Sequence, residues 1–218
     1  MQTFLIGVDE VGRGALAGQV CAAAVVLRDK NIAHVPIHFL NELIDSKKLS
    51  EKKRLSIYQS SIEHKLIFGL GFATVQEIDQ FNILNATMMA MARAVNQCVL
   101  TTKLCALRAS IDEKVVYDIA VDGIFSPKNF GCMPSSKLLF RTIKSGDSLI
   151  PEISCASIIA KVTRDGQMRA IHNKFPVYDF KNNKGYGTRK HMLALEEHGA
   201  SKIHRLSFRP VREVKNWD

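Results

Sequence analysis

Nothing in this chain has the spacing of a disulfide framework or a structural zinc site. Its five cysteines, at positions 21, 98, 105, 132 and 155, form no C-x-x-C pair and no metal-ligand rhythm. That scatter is expected of reduced, mostly buried thiols in a cytoplasmic protein. Long apolar runs are missing too. The longest, Val20 to Leu27, is far short of the roughly 20 residues that span a bilayer. The N-terminus has no basic lead-in and soon meets Asp9-Glu10, so no secretory signal is expected. No repeat, low-complexity tract or linker interrupts the 218 residues. A soluble protein with a single domain, residues 1–218, is the expectation, with a monomer as its default state and no membrane partner.

What the chain has instead is positive charge. Thirty Lys and Arg against 21 Asp and Glu give a net charge of +9 and a pI near 9.4, a balance that favours a polyanionic partner. The hydrophobic fraction of 46% is ordinary for a domain with a real core.

The most informative stretch is Ile6-Gly7-Val8-Asp9-Glu10-Val11-Gly12-Arg13-Gly14. A short apolar run beginning at Phe4 reads as a strand whose end carries two acids. Adjacent carboxylates repel and are costly to desolvate, so a fold keeps them only in water or beside a cation. Oxygen donors of this kind suit magnesium or manganese. The glycines after them let backbone approach a ligand, and Arg13 can fork onto a phosphate. Regular pleating sends Asp9 and Glu10 to opposite faces, so both can serve one site only at a strand end or a bulge. A solvated turn after a strand is the plainer alternative.

Further strands are expected at Gln19–Leu27, Leu66–Ala73, Val115–Val121 and Leu138–Phe140, with residues 28–45 a long connection and Pro127–Ser136 a surface loop. Val115–Val121 stops abruptly at Asp122-Gly123, a second strand ending in an acid and a glycine. Ser50 caps a helix that presents Leu55, Tyr58 and Ile62 on one face, after a run of cations from Lys47 to Arg54. Those cations serve either as a solvated face or as a grip on a nucleic-acid backbone. Thr74 and Glu77 form a capping box for a long helix with Ile78, Phe81, Met88, Met91 and Val95 on its apolar side. Glu152–Arg169 is a helix rich in small residues, on which Asp165 shares a face with Ile158 and Val162 and so needs a partner. Lys184-Gly185-Tyr186-Gly187 is a glycine-flanked turn, and Thr188 caps a helix over Arg189–His198 that Gly199 stops. If the first and fourth strands lie parallel and adjacent, Asp9 and Asp122 meet at their C-terminal ends. Two divalent ions about 4 Å apart, held by such acids, activate water and stabilise a leaving oxygen.

Five ordered segments carry a resemblance. They are Gly7–Gly14, Asp45–Ser50, Val121–Gly123, Ala156–Asp165 and Lys184–Thr188, and with the closing His204–Phe208 they are similar to bacterial ribonuclease HII over residues 4 to about 211. The resemblance implies an α/β fold, a ribonuclease H-like mixed five-stranded sheet flanked by helices, with a helical C-terminal region from about residue 170. It implies an endoribonuclease that cuts 5′ of a ribonucleotide, in RNA–DNA hybrids and at single ribonucleotides embedded in duplex DNA. The products would carry 3′-hydroxyl and 5′-phosphate ends, and the role would be ribonucleotide removal from DNA. Asp9, Glu10, Asp122 and Asp165 would be catalytic acids holding Mn2+ or Mg2+. Gly12, Arg13 and Gly14 would read the 2′-hydroxyl and its phosphate, Tyr186 would stack on the neighbouring sugar, and Lys47 would touch the backbone. Ile124 after Asp122-Gly123, a long stretch between Asp122 and Lys144, and Ala15 after the glycine turn depart from the pattern. A junction resolvase, a type 1 ribonuclease H and a non-catalytic binding module are the rivals. The glycine-arginine turn with Tyr186 argues against the first two, and the intact acids against the third.

Overall fold

A computed structural model describes residues 2–27, 35, 37–43, 49–109, 115–127, 131 and 138–214. Its centre is β1 (Gln2–Val11), which pairs on one side with antiparallel β2 (Val20–Val26) and on the other with parallel β4 (Val115–Asp122). Strand β3 (Ile67–Ala73) adds antiparallel to β2, and β5 (Leu138–Ile143) adds parallel to β4. The order is β3-β2-β1-β4-β5, the mixed five-stranded sheet expected. The expected connection over 28–45 contains α1 (Ile37–Glu42), and β5 runs three residues past Phe140. Most of the expected loop Pro127–Ser136 lies outside the described residues.

Helices cover both faces. The long α3 (Val75–Arg108) packs with Phe4, Ile6, Val8, Ala22, Ala24, Ile119 and Val121. The opposite face, with Cys21, Ala23 and Val25, packs on α4 (Pro151–His172) through Cys155, Ala156 and Ile159. Along α2 (Glu51–Glu63) the inward residues are Ile57 and Ser61, while Leu55 and Ile62 are exposed. This corrects the expected Leu55–Tyr58–Ile62 face, of which only Tyr58 is half-buried. A polar Ser61 can face inward because its hydroxyl donates to the Ile57 carbonyl at 2.8 Å. Ser50 caps α2 as expected, its Oγ accepting from the Lys53 N–H at 3.2 Å.

The Thr74–Glu77 capping box forms, and Glu77 is also gripped by Arg93, which reaches the Phe72 carbonyl at 2.5 Å. That pair ties the end of β3 to α3. Ile78, Met88, Met91 and Val95 are buried as expected, but Phe81 is 40% exposed. The cause is a break at Asn82 (φ 66°), whose side chain accepts from the Asn85 N–H and restarts the helix with a new face inward.

A smaller C-terminal layer contains α5 (Phe180–Asn183), α6 (Arg189–His198) and α7 (Arg209–Arg212) around Tyr178, Phe180, Leu195 and Val211. Thr188 caps α6 and Gly199 ends it. Cys21, Cys98 and Cys155 are buried and Cys105 is half-buried, all unbridged. No described helix is long and apolar enough to cross a membrane.

Helix α3 approaches β3 so closely that side chains are excluded there. A Cβ on Gly71 would lie 1.9 Å from the Ala90 carbonyl oxygen, and one on Gly69 2.2 Å from that of Ala94. Gly71→Ala is therefore expected to lower stability by about 1–3 kcal/mol, read from the urea midpoint. A variant as stable as the parent contradicts this packing.

Candidate active site

Backbone pairing assembles the acids. The parallel register of β1 and β4 runs to Val8↔Val121, which makes Asp9 and Asp122 the next lateral neighbours. Asp9 pairs across β2 with Ala23, on the α4 face, and Glu10 with Ala22, on the α3 face. No bulge brings the two acids to one side. They share a locality only because β1 outruns its pairing to β4.

The electrostatics show the strain of this arrangement. Asp9 is 6% exposed. Burial holds its carboxyl well above the usual carboxylate range, the charges of Glu10 and Asp122 raise it further, and bonds from Ser157 and the Glu10 N–H (2.7 Å) oppose the rise. Glu10 is also raised by burial and by Asp122, against the pull of Arg13 at 3.4 Å. Asp122 accepts the Gly146 N–H at 2.6 Å. One buried and two half-buried carboxylates that repel one another, with Arg13 as the cation bonded to Glu10, are a donor set suited to a hard divalent ion. Among the described residues no three acids, histidines or cysteines converge into a ready-made metal cage, and Glu10 is engaged with Arg13.

Two further acids bear on the site. Helix α4 runs beside β1. A Cβ on Gly7 would overlap the backbone of Glu152 and Ile153, Ser157 touches Asp9, and the Arg164 side chain lies against Gly12. Asp165 stands eight residues beyond Ser157, about 12 Å along the helix axis. It is 6% exposed and pairs with Lys161 at 2.9 Å. The fold therefore sets Asp165 at the level of the glycine turn rather than with Asp9 and Asp122. Asp147 is different. It follows Gly146, whose N–H holds Asp122, in a short turn over Gly146–Ser148, and it is 2% exposed. Sequence reasoning missed it because no strand or helix pattern surrounds it. The one available signal was an acid after Ser145-Gly146, just ahead of Pro151 at the start of α4.

Beyond the acids, the loop from Gly12 to Gln19 is held from beneath by two fully buried arginines. Arg205 donates to the carbonyls of Gly12 (2.7 Å), Arg13 (2.9 Å) and Gly18 (2.8 and 2.9 Å). Arg164 donates to those of Ala17 (3.1 Å), Gln19 (3.0 Å) and Lys184 (2.8 Å). Burial lowers both pKa values, that of Arg205 to about 9, and for Arg205 the neighbouring Arg164 adds to the fall. Gly12 takes a positive φ of 93°, and a Cβ there would fall 2.2 Å from Arg164 Nε; only glycine fits over that guanidinium.

The loop meets the second glycine turn directly. Leu16 N–H donates to the Gly185 carbonyl at 2.7 Å, and Gly14 faces the half-buried Tyr186 ring. Arg164 and Lys161 lie 5.6 and 6.0 Å from that ring's centroid. Arg13, Gly14 and the half-buried Tyr186 thus share one surface beside the acids, with Gly12 buried beneath it. Lys47 lies outside the described residues. Of the cations that follow it, Lys53 is engaged with Glu42 at 2.9 Å.

Comparison with known proteins is consistent over nearly the full length. A sequence model described as Ribonuclease HII matches residues 6–211. A ribonuclease HII of Nitrosospira multiformis is 42% identical over 97% of this chain and 92% of its own. The crystal structure of ribonuclease H2 from Pyrococcus horikoshii OT3 superposes with a TM-score of 0.70 at 25% identity, covering 96% of each chain. Bst-RNase HIII, solved in complex with Mn2+, shares the fold with a TM-score of 0.64 at 15% identity, covering 98% of this chain and 69% of that one.

The raised carboxyls give a signed prediction. A folded acid with a raised pKa holds its proton more tightly than the unfolded chain does, so stability falls as pH rises from the ordinary carboxylate range through the raised values. A divalent cation that replaces those protons should therefore raise Tm more at pH 8 than at pH 5. At a hundred times its Kd it would add about 2.7 kcal/mol. Asp9→Asn should shrink both the pH slope and the gain from Mn2+ or Mg2+ in thermal melts. An equal metal gain at both pH values contradicts the site.

Proposed function

The chain belongs to the ribonuclease HII family, a family of endoribonucleases, and from that premise we propose that it hydrolyses the phosphodiester on the 5′ side of a ribonucleotide. Its substrates are RNA–DNA hybrids and duplex DNA with single embedded ribonucleotides, and its products carry 3′-hydroxyl and 5′-phosphate ends. The cellular role is ribonucleotide removal from DNA, by a monomer in the cytoplasm. We read residues 1–218 as one catalytic domain with about 170–218 as its helical extension. The observation that carries this reading is the set of Asp9, Glu10 and Asp122, in which burial and neighbouring charge raise the pKa values of Asp9 and Glu10, beside a glycine turn underpinned by buried arginines.

Asp9, Glu10 and Asp122 would hold Mn2+ or Mg2+, as two ions during catalysis. The ions, when bound, supply activation of water and stabilisation of the leaving oxygen. The chain's own residues do the rest. Asp122 is fixed by the Gly146 N–H, so its remaining oxygen lone pairs point to a set place. Gly12-Arg13-Gly14, with the Gly12 and Arg13 carbonyls drawn down onto Arg205, presents the exposed Arg13 and Gly14 outward, suited to a 2′-hydroxyl and its phosphate. Tyr186, beside Gly14, offers a ring face to the adjoining sugar.

For the fourth carboxylate the resemblance names Asp165, while the position next to Gly146 favours Asp147. A set of Asn variants separates them. Asp122→Asn should lower cleavage of a long hybrid by roughly a thousandfold, about 4 kcal/mol of barrier, with duplex binding largely retained because the basic surface is untouched. Asp147→Asn is expected to follow Asp122→Asn, and Asp165→Asn to keep most activity. Severe loss in Asp165→Asn alone would restore it as the fourth ligand. Equal loss of cleavage and binding in Asp122→Asn would contradict the metal role.

A further inference from the structure

The C-terminal layer buries two histidines whose partners fix their protons. His191 and His204 are fully enclosed, with Nε2···Nε2 at 3.0 Å. Tyr178 and Phe180 wall them in: the Tyr178 ring lies 4.7 Å from that of His204, and the Phe180 ring 5.3 Å from that of His191. The Ser201 backbone N–H points at His204 Nδ1, 2.9 Å away. A backbone N–H only donates, so His204 Nδ1 accepts and its proton sits on Nε2. His204 Nε2–H then donates to His191 Nε2, which leaves the His191 proton on Nδ1, aimed at the Tyr186 carbonyl 3.0 Å away. A single proton arrangement satisfies every contact, and it requires both rings neutral. Burial keeps them so, holding His204 down near 4 and His191 below its usual value.

This relay ends on the turn that carries Tyr186. Three consecutive carbonyls of that turn are each held by a different element: Lys184 by Arg164, Gly185 by the Leu16 N–H, and Tyr186 by His191 together with the Thr188 N–H. The other end is tied to the glycine loop, because His204 forms a β-bridge with Ala17 and Arg205 N–H donates to the Leu16 carbonyl at 2.9 Å. The pair therefore connects the two halves of the surface assigned above to reading the ribonucleotide, without reaching that surface itself.

We propose that His191 and His204 are positioning residues for Tyr186, a neutral hydrogen-bonded pair that sets the tyrosine against the Gly12–Gly14 turn and so governs preference for a lone embedded ribonucleotide over a long hybrid. The inference rests on the function proposed above. A pair that merely fills the core would stabilise the protein and affect both substrates alike. A positioning pair acts through Tyr186 and has no effect once that ring is gone.

Steady-state kinetics on the full chain, with both substrates, distinguish the two. His191→Phe is expected to lower kcat/KM on a duplex with one ribonucleotide by roughly tenfold to a hundredfold, the scale of a small misplacement, with a long hybrid within about twofold. His191→Asn, which keeps a donor toward the Tyr186 carbonyl, should recover most of that loss and covers the case in which the Phe variant fails to fold. Adding His191→Phe to Tyr186→Ala should cost nothing more. Equal losses on both substrates, or additive losses in the double variant, overturn the proposal. Nitrogen NMR of the parent at pH 7 is expected to show His191 protonated on Nδ1 and His204 on Nε2; the opposite tautomers or a charged ring also overturn it. A parent chain inactive on both substrates would instead strike at the nuclease reading, and this is separable from a selective enzyme whose histidine variants lack selectivity.

Discussion

The parallel pairing of β1 with β4 is the constraint on which the rest depends. Its register runs from Gln2↔Val115 to Val8↔Val121, and the next step along each strand is an acid. Side chains that are lateral neighbours in a sheet point the same way, so the backbone ladder sets Asp9 beside Asp122 at the C-terminal ends of adjacent strands, where α/β sheets bind ligands. The energy of this placement comes from the apolar residues behind it: Phe4, Ile6, Val8, Ile119 and Val121 anchor the strands against α3. The acids are carried where isolated carboxylates would not go, and the raised pKa values of Asp9 and Glu10 register the cost.

The second organising feature has the opposite sign. Arg164 and Arg205 spend their donors on backbone carbonyls of residues 12–19 and 184. They brace the loop and also place positive charge under it. The acids and the braced loop sit at successive levels of α4, with Ser157 at the first and Arg164 at the second. A polyanion laid across both levels would meet Arg13 on the loop, with the buried arginine charge beneath it, and oxygen donors at the level of Ser157, which is the division of labour a metal-dependent nuclease needs.

Much of this was legible in the sequence, and the reasons are local. The β1 and β4 runs each end abruptly in an acid, the Thr74–Glu77 box and the Ser50 and Thr188 caps are signals within four residues, and each formed as read. What was not legible depends on tertiary contact. Ser61 and Ile57 face inward on α2 because a side-chain bond to the preceding turn satisfies the serine. Phe81 is exposed because Asn82 breaks α3 at a positive φ. Asp147 sits in a turn with no periodicity, and only its neighbour's bond to Asp122 reveals it. The bracing role of Arg164 and Arg205 was not legible, since sequence alone does not separate an arginine that binds backbone from one that binds phosphate. The histidine pair is formed by residues 13 positions apart and is visible only in three dimensions.

In the function proposed above, these acids and this turn together make a ribonucleotide-directed, metal-dependent nuclease. Its most direct test is cleavage of a DNA duplex carrying one embedded ribonucleotide, in magnesium, manganese or chelator, beside an all-DNA duplex of the same sequence. A single cut on the 5′ side of the ribonucleotide is expected in the presence of metal, none with chelator and none in the all-DNA duplex. Cutting of the all-DNA duplex, cutting that survives chelation, or tight binding with no cutting in either metal would contradict it.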